Sequence, residues 1–204
     1  FEKVFNLVDF DFPHHAMSIA EQVINLCILG SKMLKPEDEK LAIRIGEGLL
    51  RGGFRVATVE TTAGGLISAR LLSIPGASRW FERGIVAYSE KSKIDALGGV
   101  GINPKVLKKY GSVSPAVVEM LVENFCKIVG ADFGIAESGL AGPKTSQRSK
   151  KSVGNVVIAI KTPNGVISED TYFDGTRLEI MQKITGCALE MLSEAITRFE
   201  DNDS

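Results

Sequence analysis

Apolar residues fall at helical spacing in some stretches of this chain and in short unbroken runs in others, and the two kinds of stretch alternate. Residues 1–16 carry four phenylalanines with no helical period and read as an extended arm. Ser18 and Glu21 fit a capping box, and Ile19, Val23, Leu26 and Cys27 follow at helical spacing, to about Met33. A second helix is expected from near Pro36, with Glu37, Asp38 and Glu39 in its first turn, to Gly52-Gly53. Strand 54–60 and helix 64–73 come next, then a turn at "IPGAS" and a strand over Gly84–Ser89 with a short helix after it. Asn103-Pro104 and Ser114-Pro115 each read as an N-cap followed by proline at the first helical position. The second of these helices should end near Gly130, before a strand over Phe133–Ser138. "NVVIAIKTPNGVISEDTYF" reads as two strands around Asn164-Gly165, a hairpin signal. Thr176 and Glu179 form another capping box, opening a last helix to about Arg198.

Helices that alternate with strands, with one hairpin interrupting, predict an α/β fold. The expected form is a three-layer α/β/α sandwich with a mixed sheet that includes one antiparallel hairpin. Residues 1–34 are expected to be an N-terminal extension, and 35–204 the α/β domain.

The 204 residues, 44% hydrophobic and 24% charged, suit one generous domain. The net charge of −1 gives no global field toward nucleic acid or anionic membrane. The patch "KTSQRSKKS", Lys144–Ser152, carries basic residues but no aromatic, which fits a solvated loop better than a nucleic-acid contact. Cys27, Cys126 and Cys187 are odd in number, far apart and set in apolar stretches. They are expected as free thiols in a reducing, cytoplasmic compartment. No Cys/His cluster has zinc spacing, and "VINLCILG" is too short to cross a bilayer.

The only two histidines are His14 and His15, so a hydroxyl nucleophile elsewhere needs Lys, Asp or Glu as its base. Four junctions of strand with helix or turn carry candidate chemistry. Thr61-Thr62-Ala63-Gly64-Gly65 is either an anion or oxyanion site or a tight turn with a threonine N-cap. Tyr88 ends a strand, with Lys91 and Lys93 just beyond; a lysine becomes a base only when its pKa is lowered. Ser138-Gly139 begins the glycine-rich stretch to Pro143. Arg177 sits in a first helical turn, where a bound anion would account for it, as would simple exposure to water.

Together, "ETTAGGLISARLLSIPGASRWFERGIVAYSEKSK", "YGSVSPAVVEMLVENF", "ADFGIAESGLAGP", "VGNVVIAI" and "FDGTR" resemble the C-terminal domain of the competence/damage-inducible protein CinA, the family of nicotinamide mononucleotide deamidases. The resemblance runs from about Glu39 to Phe199. It implies hydrolysis of the carboxamide of nicotinamide mononucleotide, a pyridine nucleotide, to the acid and ammonia, with no metal and no other cofactor. It implies Thr61 as nucleophile, Lys93 as base and Tyr88 as its helper. Thr62, Ala63, Gly64, Gly65, Ser138 and Gly139 are implied as substrate contacts, with Arg177 holding phosphate. It also implies a homo-oligomer, a dimer or higher, with no nucleic-acid or membrane partner.

The chain departs from the family pattern in three segments. Threonine stands where the nucleophilic serine is usual, "KTSQRSKKS" replaces a glycine-rich run, and Gly175-Thr176-Arg177 replaces Gly-Asp-Arg. These departures motivate two further expectations beside the amidohydrolase. One is a nucleotide-binding or structural relative without turnover. The other is a related hydrolase with a different substrate.

Overall fold

The computed structural model describes residues 34–35, 37–95, 99–143 and 151–202. The expected aromatic arm and first helix, and residues 144–150 of the basic patch, lie outside the described residues.

Helix α1 (Glu37–Gly52) has Glu37, Asp38 and Glu39 in the first turn and Arg51 in the last, each at the end of the helix dipole that favours it. Strand β1 (Val56–Glu60) is buried along its whole length. Helix α2 (Leu66–Leu72) and a 3₁₀ turn (Ala77–Arg79) lead to β2 (Phe81–Val86). The strand begins at Phe81 and stops at Val86, earlier than the expected Gly84–Ser89. Glu82 and Arg83 break the apolar pattern there, yet they suit an edge strand, and Glu82 pairs with Arg55 at 2.7 Å. Tyr88 therefore lies past the strand end, and Ser89 caps the short helix α3 (Glu90–Ile94) by accepting from the Ser92 N–H.

Helices α4 (Pro104–Tyr110) and α5 (Pro115–Val129) both start on proline. Asn103 caps α4 through the Lys105 N–H, but Ser114 turns its hydroxyl back to donate to the Gly111 carbonyl. β3 (Phe133–Gly139), β4 (Asn155–Thr162) and β5 (Gly165–Tyr172) follow, with the last two forming the expected hairpin around Asn164-Gly165. Helix α6 (Arg177–Asn202) opens on the expected capping box: Thr176 N–H donates to Glu179 at 2.7 Å and Glu179 N–H to the Thr176 hydroxyl at 3.4 Å.

The sheet order is β2-β1-β3-β4-β5. β1 is parallel to both β2 and β3, whereas β3, β4 and β5 pair antiparallel, so the sheet is mixed. One face packs Phe133, Ile135, Ile158 and Ile160 under α1, α2 and α6. The other packs Ala57, Val59, Ala136 and Val157 under α4 and α5. This is an α/β fold with a five-stranded mixed sheet and helices on both faces. Cys126 and Cys187 are free thiols; burial pushes the Cys126 thiol up to about 12, so it behaves as core.

Candidate functional site

Because β1, β2 and β3 run in parallel, their C-terminal ends share one edge of the sheet. β1 lies between the other two, so the chain leaves it toward β2 and returns on its other side as β3. Open α/β sheets bind ligands at this kind of reversal. The turn at 61–65, the loop at 87–89 and the loop at 140–143 all emerge there.

Two carboxylates, neither singled out by the sequence reading, shape the first turn. Glu60, fully buried at the end of β1, takes the Gly65 and Ile67 N–H groups on one oxygen at 2.8 and 3.1 Å. Its other oxygen takes the Ser68 N–H at 2.8 Å and the Ser68 hydroxyl at 2.6 Å. Helix α2 is thus capped from beneath by a strand residue, and the N-cap position is Gly65, with no side-chain bond of its own. Gly64 at φ 68° and Gly65 at φ 104° supply the left-handed backbone that lets the chain double back over Glu60.

Glu137, equally buried, lies two residues before the end of the neighbouring β3. Its Oε1 accepts the N–H groups of Thr61, Thr62 and Ala63 at 2.6, 2.7 and 2.9 Å. The threonine N-cap therefore gives way to a two-carboxylate clamp. The amides expected to face an oxyanion are largely engaged as well: Ala63 N–H is on Glu137 and Gly65 N–H on Glu60. Among the described residues, the Gly64 N–H alone of these three has no partner.

The two threonine hydroxyls differ. Thr62 Oγ1 donates to the Gly139 carbonyl at 3.0 Å and accepts the Gly139 N–H at 2.7 Å, tying the turn to the end of β3. Its single proton is spent there, so in its 3.3 Å contact with Thr61 it can only accept. The buried Thr61 hydroxyl, by contrast, makes only this long contact, in which it is the donor. Thr62 and Gly139 satisfy each other, and Ser138 beside them is buried.

On the β2 side, Lys93 is only 4% exposed, and its amine donates to the Tyr88 carbonyl at 2.9 Å. Burial holds its pKa below the usual lysine value, against the opposing charges of Glu137 and then Glu90. Tyr88 is 65% exposed, and its hydroxyl accepts from Arg177 Nη2 at 3.3 Å. Arg177 Nη1 donates to the Gly142 carbonyl at 3.0 Å. Arg177 thus bridges two of the loops at this edge rather than pointing only to water. The sequence-derived residues form two linked groups, Thr61-Thr62-Gly139 and Lys93-Tyr88-Arg177, with Glu137 acting on both. A shallow open hollow of about 610 Å³, lined by Glu90, Lys91, Ile94 and Asp95, shares none of these residues.

Glu60 and Glu137 were legible as acids closing the apolar runs "VATVE" and "GIAE". A carboxylate at the end of a fully buried strand must find donors, and the next turn is the nearest source.

Residues 38–196 match the CinA C-terminal domain family. A CinA-like protein of Fervidobacterium nodosum is 33% identical over 193 residues, covering 94% of this chain and 46% of the relative. The nicotinamide-nucleotide amidohydrolase PncC of Shewanella oneidensis is 32% identical over 175 residues, 83% of this chain and 40% of the relative. The chain thus spans less than half the length of these curated relatives. The crystal structure of a competence/damage-inducible protein from Agrobacterium tumefaciens superposes with a TM-score of 0.74 at 33% identity. That match covers 80% of this chain and 98% of that one. Sequence and fold agree, and the chain belongs to the CinA C-terminal domain family.

Proposed function

We propose that the protein is an amidohydrolase that converts nicotinamide mononucleotide to the acid and ammonia, with Thr61 as nucleophile and Lys93 as base. The observation that carries this reading is the buried Lys93 amine, whose depressed pKa suits a base, at the same sheet edge as the Thr61 hydroxyl, which is held by one long contact only. The name of the Shewanella oneidensis relative supports the substrate class.

In the proposed reaction, neutral Lys93 takes the Thr61 proton as Thr61 Oγ1 bonds to the carboxamide carbon. The free Gly64 N–H is the turn amide available to the developing oxyanion. Lys93 then returns the proton to the departing nitrogen, the C–N bond breaks and ammonia leaves. Water then attacks the resulting ester; Lys93 takes a proton from it and passes that proton to Thr61 Oγ1 as the C–O bond breaks, which frees the acid and Thr61. Tyr88, joined to Lys93 through its carbonyl and to Arg177 through its hydroxyl, helps hold the base. Acid quenching during turnover tests the covalent step. A Thr61 peptide carrying the substrate minus ammonia is expected, and an adduct on another residue would reject Thr61.

Arg177 is proposed to anchor the phosphate. Loss of one charge-assisted contact of about 1.5–3 kcal/mol predicts a KM about 10- to 100-fold higher in Arg177→Ala, with kcat changed less. Steady-state kinetics check this; a change confined to kcat would remove Arg177 from binding.

One observation favours a second reading, a nucleotide-binding relative without turnover: the Ala63 and Gly65 amides are held by carboxylates. Calorimetry separates the two, since this reading expects nicotinamide mononucleotide to bind without releasing ammonia.

A further inference from the structure

The Tyr88 hydroxyl is held but not used up. It accepts from Arg177 Nη2 at 3.3 Å, and among the described residues nothing takes its own proton. Arg177 also has donors to spare: Nη1 is on the Gly142 carbonyl at 3.0 Å, while Nε has no acceptor among the described residues. The pair is braced from both sides. Gly142 has φ 73°, and a Cβ there would meet Val153 Cγ1 at 2.8 Å, so the carbonyl that aims Arg177 is fixed. Tyr88 is held at its other end, where its carbonyl takes the Lys93 amine at 2.9 Å. Both side chains are exposed, so a ligand at the sheet edge can reach them.

We propose that the Tyr88 hydroxyl is a second donor, beside Arg177, to the phosphate of the ligand, and so helps the site select a phosphorylated amide. A guanidinium N–H donated to the phenol oxygen draws charge from it and strengthens the phenol as a donor. Its proton is then free to turn to the same anion that the guanidinium attracts. The inference rests on the reading of Arg177 as the phosphate anchor.

The neighbouring groups leave the anion to this pair. The start of α6 already carries a carboxylate: Glu179 Oε2 accepts the Thr176 N–H at 2.7 Å and the Thr176 hydroxyl at 2.8 Å. That negative charge opposes a phosphate bound to the helix end itself. Lys183, further along α6, is paired with Asp174 at 2.6 Å. The Lys93 amine is buried and engaged by the Tyr88 carbonyl. Tyr88 thus has two polar ends with separate tasks, the carbonyl toward the base and the hydroxyl toward the anion. One residue spans the phosphate end and the amide end of the ligand, and a dephosphorylated ligand forgoes both the Arg177 and the Tyr88 donors.

Tyr88→Phe keeps the ring and the backbone carbonyl and removes only the hydroxyl. Three probes are titrated into the full chain and followed by backbone NMR shifts, a readout that needs no turnover: inorganic phosphate, nicotinate mononucleotide (the product of the proposed reaction) and nicotinate riboside. The Kd values of phosphate and of the mononucleotide are expected to rise about 10-fold in Tyr88→Phe, with that of the riboside within about twofold. In an Arg177→Ala background, Tyr88→Phe should still weaken the mononucleotide by at least about threefold, because the hydroxyl donates on its own account. No further loss in that background would overturn the proposal and leave Tyr88 as a prop for Arg177. Unchanged phosphate and mononucleotide Kd values in folded Tyr88→Phe, or an equal loss for the riboside, would also overturn it. If the phosphate Kd rises as expected but the unmodified protein releases no ammonia from nicotinamide mononucleotide, the Tyr88–Arg177 anion site stands and the amidohydrolase reading fails.

Discussion

Thr61→Ala is expected to lower ammonia release from nicotinamide mononucleotide by at least about 10³-fold while the protein stays folded. The Thr61 side chain contributes one long contact, to Thr62 at 3.3 Å, whereas the turn itself is held by backbone N–H groups on Glu137. Removing the hydroxyl therefore spares the clamp and takes away only the proposed attacking atom. Thr61→Ser is the companion variant. It keeps the hydroxyl and removes the methyl group that stiffens χ1. If that methyl misplaces the oxygen by about 1 Å, serine gains on the order of 10²-fold in kcat. Full activity in Thr61→Ala, measured as ammonia release under saturating substrate, would exclude Thr61 as nucleophile.

Glu60→Ala is expected to cost about 4 kcal/mol of stability, since several buried donors lose their acceptor at about 1 kcal/mol or more each. The Gly65, Ile67 and Ser68 N–H groups and the Ser68 hydroxyl all depend on this one carboxylate. The loss propagates to β1, because Ser68 Oγ also bonds Thr58 Oγ1 at 2.7 Å. Ordinary domains have only about 5–15 kcal/mol in total, so the variant approaches the unfolding threshold. Urea denaturation reads the effect as a lower midpoint at an unchanged m-value. Ser68→Ala, which removes a single hydroxyl, is expected to lose about 1 kcal/mol. Equal midpoints for Glu60→Ala and Ser68→Ala would show that the carboxylate does not organise the helix start.

Most of the scaffold was legible because local signals agreed with the tertiary structure. The Thr176–Glu179 box, the Asn164-Gly165 hairpin, the prolines at the starts of α4 and α5 and the stop at Gly130 each act within a few residues. β2 was displaced in the reading because an edge strand tolerates Glu82 and Arg83, which an apolar-run criterion discards. Ser114 matched the capping pattern, but its hydroxyl found a nearer acceptor in Gly111.

The candidate site was legible as a set of strand–helix junctions and as a family resemblance, but its wiring was not. Thr61, Thr62, Lys93 and Arg177 are visible as residue types; which hydroxyl is committed depends on Gly139, far along the chain. Glu137 reaches Thr61 across a similar sequence distance. Pairings of that kind are set by strand order, which places β3 beside β1, and no local pattern encodes them.

Ammonia release from nicotinamide mononucleotide by the purified protein, with Lys93→Ala alongside, tests the central claim most directly. The Thr61–Lys93 mechanism predicts ammonia and nicotinate mononucleotide in equal amounts, at a rate at least about 10³-fold lower in Lys93→Ala. Equal rates in the two proteins, or binding of the nucleotide by the unmodified protein with no ammonia released, would contradict it.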